Sequence, residues 1–170
     1  RCHARRGVLT EDYAHGEPLL ATHAPALLTE GLFYPDGQIQ DEVFEYGAFR
    51  QSRMFQAGVG CSDCHEPHSL ELRAEGDALC SRCHSPARFE ATAHTGHAVA
   101  PQGAPAGVEC LDCHMPERTY MGVDRRRDHS LRIPRPDLTV RIGTPNACAS
   151  CHADRPPAWA ATAVRRWHGP

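Results

Sequence analysis

Cys61 and Cys64 stand three positions apart, and His65 follows the second at once. The same C-x-x-C-H arrangement returns at Cys80, Cys83 and His84, at Cys110, Cys113 and His114, and at Cys148, Cys151 and His152. Two intervening residues make one tight turn and set the thiols at a fixed separation. They can then add across the two vinyl groups of a porphyrin, and the adjoining imidazole supplies the proximal nitrogen to its iron. The chain opens Arg1-Cys2-His3, the tail of a fifth such motif, which accounts for an odd ninth cysteine. The pattern implies haem c at four complete sites and a fifth at Cys2 and His3.

Two other chemistries use cysteine pairs. Cys61, Cys64, Cys80 and Cys83 have the spacing C-x2-C-x15-C-x2-C, which a zinc ribbon also shows. Zinc has no use for a histidine after each pair. With 12 histidines in 170 residues, four coincidences come to about 1 in 40,000. The later two pairs are 34 residues apart, which suits a ribbon poorly. A disulfide framework needs an even number of partners, and nine cysteines in C-x-x-C doublets do not read as one.

Composition agrees with a cofactor-built interior. Aromatic residues make up 6%, with 14 Gly and 14 Pro, which is poor material for a large apolar core. Haems would supply much of that core, so the chain without them is expected to be mostly unfolded. All 18 cations are arginine. A lysine-ligated catalytic iron therefore has no ligand here, whereas arginine forks suit haem propionates. A net charge of −3 argues against a nucleic-acid partner. No apolar run reaches the roughly 18 residues of a membrane span, and no signal peptide is present. Covalent haem attachment takes place outside the cytoplasmic membrane. The expectation is thus the C-terminal portion of a longer, exported chain, periplasmic or extracellular.

The elements that must position these sites are short. Residues 4–35 are polar and punctuated by proline, and Asp36-Gly37 marks a turn. Residues 41–56 read as a helix bent near Gly47 and leading into the first site. Ser85-Pro86 reads as an N-cap and first helical residue, with the helix running to about His94. Residues 98–108 form a Pro/Gly loop. Residues 131–140 carry Pro134 and Pro136 and read as extended. A helix begins at Pro156 and Pro157 and ends near Gly169, with Trp159, Ala160, Ala163, Val164 and Trp167 on one side; it is expected either to pack on the last haem or to lead into a further domain beyond Pro170. The expected fold is mostly loop with short α-helices and little or no sheet, a haem-organised multihaem cytochrome c fold forming one domain over residues 1–170.

Beyond the proximal His3, His65, His84, His114 and His152, seven histidines remain. That number covers a second imidazole for every iron. The expected distal ligands are His15, His68, His129 and one or both of His94 and His97, with His23 and His168 as spares. His68 follows His65 too closely to reach the same iron and points to a neighbouring haem. Met54, Met115 and Met121 are weaker axial alternatives, because histidine is plentiful.

The run from Gly107 through Cys110-Leu111-Asp112-Cys113-His114-Met115-Pro116, then Asp128-His129, then Pro145-Asn146-Ala147-Cys148-Ala149-Ser150-Cys151-His152 resembles the multihaem cytochromes related to cytochrome c nitrite reductase and hydroxylamine oxidoreductase. In that group an Asp-His between the last two motifs supplies the distal ligand of an earlier haem, a role the resemblance gives to His129. Residues 27–169 are more similar still to multihaem cytochromes that carry tetratricopeptide repeats. The stretches DGQIQDEV, CSDCHEPHS, CLDCHMP and RRDHSLRIPRPDL carry that likeness. The absence of a lysine-ligated motif departs from the nitrite reductases.

Irons with two imidazoles have no open position for a substrate, so the leading expectation is electron transfer along neighbouring haems. The partners would be redox proteins, further cytochrome subunits or copies of the chain in a filament. The alternative is an oxidoreductase with one open-coordination haem reducing nitrite, hydroxylamine or a sulfur oxyanion. A third class is a structural module in which haem supports a binding platform.

Overall fold

The computed structural model describes residues 3–98 and 108–169. The chain forms two compact units, Arg1–Ala57 with Glu117–Leu131, and Gly58–Pro116 with Arg132–Pro170. The Pro/Gly loop expected at 98–108 lies largely outside the described residues, as does Cys2.

The first unit holds two small antiparallel pairs. β1 (Arg6–Val8) pairs β2 (His23–Pro25), with Arg6 opposite Pro25 and Val8 opposite His23. A single helical turn, α1 (Leu19–Thr22), runs straight into β2. β3 (Glu117–Tyr120) and β4 (Asp124–Arg127) form a hairpin in register Glu117 to Arg127. Its turn places Met121 and Gly122 in succession at φ 50° and 76°, the left-handed pair that matches the twist of a tight hairpin. α2 (Glu45–Phe49) and α3 (Arg53–Gln56) complete the unit. Phe33, Ile39, Val43, Ala48 and Tyr120 form its core. Arg118 ties the hairpin to this core. It donates to the Ile39 carbonyl at 2.9 Å and the Tyr34 hydroxyl at 3.1 Å, and its guanidinium lies 5.1 Å from the Tyr34 ring centre and 5.8 Å from that of Tyr120.

The second unit is a series of short helices: α4 (Cys61–Cys64), α5 (Asp77–Ser81), α6 (Pro86–Phe89), α7 (Thr92–Thr95), α8 (Cys110–His114), α9 (Pro136–Ile142) and α10 (Pro157–His168), with a 3-10 turn over Ala147–Ser150. The fold is mostly loop and short helix with two two-stranded pairs, as the sequence implied.

Three local expectations are corrected. The helix over 41–56 is two helices, and the break falls at 50–52 rather than Gly47. Ser52 is buried and starts α3 by accepting the Phe55 amide at 3.0 Å, a true N-cap. The helix from Ser85 stops at Phe89 and restarts at Thr92, and Gly96 at φ 68° ends it. Residues 131–140 are not extended throughout. Pro136 opens α9 at its first position, where a missing N–H costs nothing.

Candidate haem sites

Each thiol pair sits on one turn with its histidine amide tied back to the first cysteine. His65, His84 and His152 donate to the carbonyls of Cys61, Cys80 and Cys148, each at 2.9 Å, and His114 lies inside α8. Side chains three and four apart share a helix face, so this bond presents two sulfurs and one imidazole together. The residue between the cysteines helps to start the turn. Asp63 accepts the Gly60 amide at 2.7 Å, and Asp112 accepts the Glu109 amide at 3.1 Å. At the fourth motif Asn146 caps instead, accepting the Ala149 amide at 3.3 Å and donating to the Thr139 hydroxyl at 2.8 Å.

The four turns follow one another in space. Arg82, between the two cysteines of the second motif, donates to the Asp63 carbonyl of the first at 2.5 Å. The Cys110 amide of the third donates to Asp77 on α5 at 2.8 Å. α8 in turn packs on the 3-10 turn of the fourth motif.

Two histidine pairs face each other across this array. His94 on α7 and His114 have ring centres 6.1 Å apart with planes at 15°. His97 and His152 have centres 6.1 Å apart with planes at 26°. Two metal–imidazole bonds of about 2 Å, plus about 1.1 Å from nitrogen to centre in each ring, give about 6.2 Å, the separation of two imidazoles on opposite faces of one ion. The other ring nitrogen is committed in several cases. Nδ1 of His114 bonds to the Arg132 carbonyl at 2.7 Å, that of His97 to the Thr95 carbonyl at 2.7 Å, and that of His129 to the Arg127 carbonyl at 2.9 Å. A carbonyl only accepts, so Nδ1 carries the proton and Nε2 keeps its lone pair for a metal. Burial, then the neighbouring His114, His168 and Arg88 charges, push the His94 pKa down and keep its ring neutral.

The remaining candidates are placed differently. His68 is exposed and pairs with Glu66 at 3.3 Å. His15 is exposed and lies edge-on to Tyr13 at 5.5 Å. His3 is exposed, 3.8 Å from Glu45. The expected spare His23 is buried and bonds to the Thr22 hydroxyl at 2.7 Å. The other spare, His168, has its ring centre 5.9 Å from that of His94. His84 lies edge-on to Phe89 at 5.3 Å, and Phe89 lies equally edge-on to His94. The expectation that α10 packs on the last site was general; its two tryptophans touch both members of one pair. Trp159 is 4.9 Å from His152 and Trp167 is 6.0 Å from His97. Their spacing of eight residues on one helix was the available signal. In the run Arg125-Arg126-Arg127, Arg125 pairs with Glu117 and Arg126 with Glu42 and Asp124.

These residues fit haem on two counts. The second unit carries every complete motif, yet Ala160 and Pro136 are its buried apolar side chains among the described residues, against six buried apolar residues in the first unit. Something apolar must fill the interior for a unit of that size to hold together. The paired thiols are also free, as attachment to a porphyrin vinyl group requires. Burial pushes Cys110 up to about 12, aided by Asp77, and pushes Cys113 up to about 11, aided by Cys148. Burial likewise raises Cys64, Cys80 and Cys148. All eight described cysteines are free, and among the described residues no three His, Cys, Asp or Glu converge as a zinc ribbon would require.

Comparison with known proteins agrees. The family described as Doubled CXXCH motif matches residues 54–89, and the family Cytochrome c552 matches residues 97–166. With the attachment turns, these two partial matches indicate haem c bound covalently at repeated C-x-x-C-H motifs. The fold is similar to the crystal structure of the outer cell wall cytochrome OcwA, with a TM-score of 0.67 at 17% identity. The match covers 98% of this chain and 50% of that one, so the chain spans about half of its structural relative. No curated protein matches the chain. Among the described residues no helix is long and apolar enough to cross a membrane.

Proposed function

We propose that the chain conducts electrons along a row of closely spaced haems held mainly between two imidazoles, as a periplasmic or extracellular carrier or filament subunit. The observation that carries this is the near-parallel pairing of His94 with His114 and of His97 with His152 at 6.1 Å. His114 and His152 are the proximal ligands of the third and fourth sites, and His94 and His97 their distal ligands. His129, its Nδ1 already tied to a carbonyl, presents Nε2 as a third distal ligand, the role that the likeness to the nitrite reductase group gives it. Haem, when bound, supplies a one-electron iron couple, and two neutral imidazoles keep its potential low relative to a His/Met pair. The chain's residues hold His94 neutral, fix the tautomers of His97, His114 and His129, and bring the four attachment turns into series. The outer-wall location named for OcwA supports an extracellular setting.

Two measurements on the oxidised holoprotein test this. Intact mass gives the haem count, expected at four, or five with Cys2 attached. Low-temperature EPR is expected to show all iron low-spin. One high-spin haem that shifts with nitrite or hydroxylamine would replace this reading with that of a reductase. No haem at all would refute it.

A further inference from the structure

His94 and His97 flank Gly96, and they face two different attachment sites. Gly96 ends α7 at φ 68°, a left-handed conformation that L side chains rarely adopt. Its missing Cβ matters for space as well. A Cβ built there would lie 2.4, 2.5 and 2.6 Å from Cζ3, Cε3 and Cδ2 of Trp167. Those are ring atoms of an indole half-buried on α10, and no flexible tip can move aside. The same indole stands 6.0 Å from the His97 ring, and the next residue, His168, stands 5.9 Å from the His94 ring. The last turn of α10 is thus seated on the one point of α7 from which both imidazoles project.

We propose that the seat of Trp167 on Gly96 sets the position of His94 and His97 together, so that one contact governs axial ligation at the third and fourth sites. Gly96 and Trp167 are positioning residues; the ligands are the histidines. The inference rests on the assignment of His94 and His97 as distal ligands. Tilting the end of α7 moves both rings at once, because only two residues separate them and the Thr95 carbonyl that orients His97 belongs to the same turn. Ordinary local packing would couple the indole to one ring only.

The test uses haem-loaded full-length chain, with haem count from intact mass and spin state from EPR. His94→Ala and His97→Ala serve as references, and each is expected to convert one haem to high-spin. Gly96→Ala adds both the backbone strain and the clash, and it is expected to convert two haems with the haem count unchanged. Trp167→Ala introduces no strain and is expected to make the same two haems bind carbon monoxide when reduced. Trp167→Phe keeps an aromatic ring on the glycine and is expected to restore the low-spin state at both. If Gly96→Ala does not load haem, Trp167→Ala decides. If the histidine variants each convert one haem while Trp167→Ala converts none, or only the His97 haem, the joint seat is refuted and the ligand assignment stands. If the histidine variants convert none, the ligand assignment itself falls.

Discussion

Arg118→Met removes the tie between the β3–β4 hairpin and the core of the first unit. The methionine keeps most of the aliphatic stem, so the loss is confined to the guanidinium. Two hydrogen bonds go, one to the Ile39 carbonyl and one to the Tyr34 hydroxyl, together with the contacts of the guanidinium with the Tyr34 and Tyr120 rings. Ile39 is 6% exposed, so water replaces the lost donor poorly. A charged donor bond is worth about 1.5 kcal/mol at a half-buried site, and the cation–ring contact about 0.5–1 kcal/mol. The expected sum is about 2–3 kcal/mol, once overlap between the terms is allowed for. Hydrogen exchange read by mass spectrometry on residues 32–43 and 117–127 resolves this locally. At 1.36 kcal/mol for each tenfold change, amides there should exchange about 30- to 150-fold faster. An acceleration below about threefold would refute the reasoning, because it would mean that the hydrophobic cluster holds the hairpin without the arginine.

Burial pushes the Tyr120 phenol up to about 12, against the pull of Arg118. Below about pH 10 both folded and unfolded chains keep this proton; between about 10 and 12 only the unfolded chain releases it, so stability falls as pH rises through that window. The urea midpoint of the first unit should drop there, and Tyr120→Phe should flatten the slope; an unchanged slope would assign the loss to other groups. Asn146→Ala deletes the cap of the fourth motif and its bond to Thr139, and should cost about 1 kcal/mol in a denaturant midpoint, with Asn146→Asp retaining most of it. Equal losses for alanine and aspartate would show that the Thr139 bond, not the cap, carries the effect.

The sequence displays its chemistry plainly because the attachment turn is local. Five consecutive residues carry both thiols and the proximal ring, and a short hydrogen bond from the histidine amide closes each turn. The distal partners are another matter. His94 and His97 stand out in the sequence as candidate ligands but not as neighbours of particular sites, since the proposed pairing runs over 20 residues from His94 to His114 and over 55 from His97 to His152. It depends on where α7 and α10 pack. Buried His23 and exposed His15 show the same limit, because spacing alone does not say which imidazole the β1–β2 pair encloses. Pro136 misled for a simpler reason. A proline forbids the interior of a helix and favours its first turn, and only the residues that follow decide which applies.

The first unit is discontinuous, and that orders events during folding. Tyr120, a core residue, arrives from the return segment Glu117–Leu131, after the chain has laid down the stretch that bears the first three motifs. The N-terminal part therefore cannot close its hydrophobic cluster until synthesis has passed that stretch. Closing it then pins both ends of an intervening loop of some 59 residues, Gly58–Pro116. The entropy of that loop opposes closure only weakly, since the cost grows with the logarithm of length. Once closed, the clasp holds three attachment turns in one tethered segment and leaves the fourth outside it.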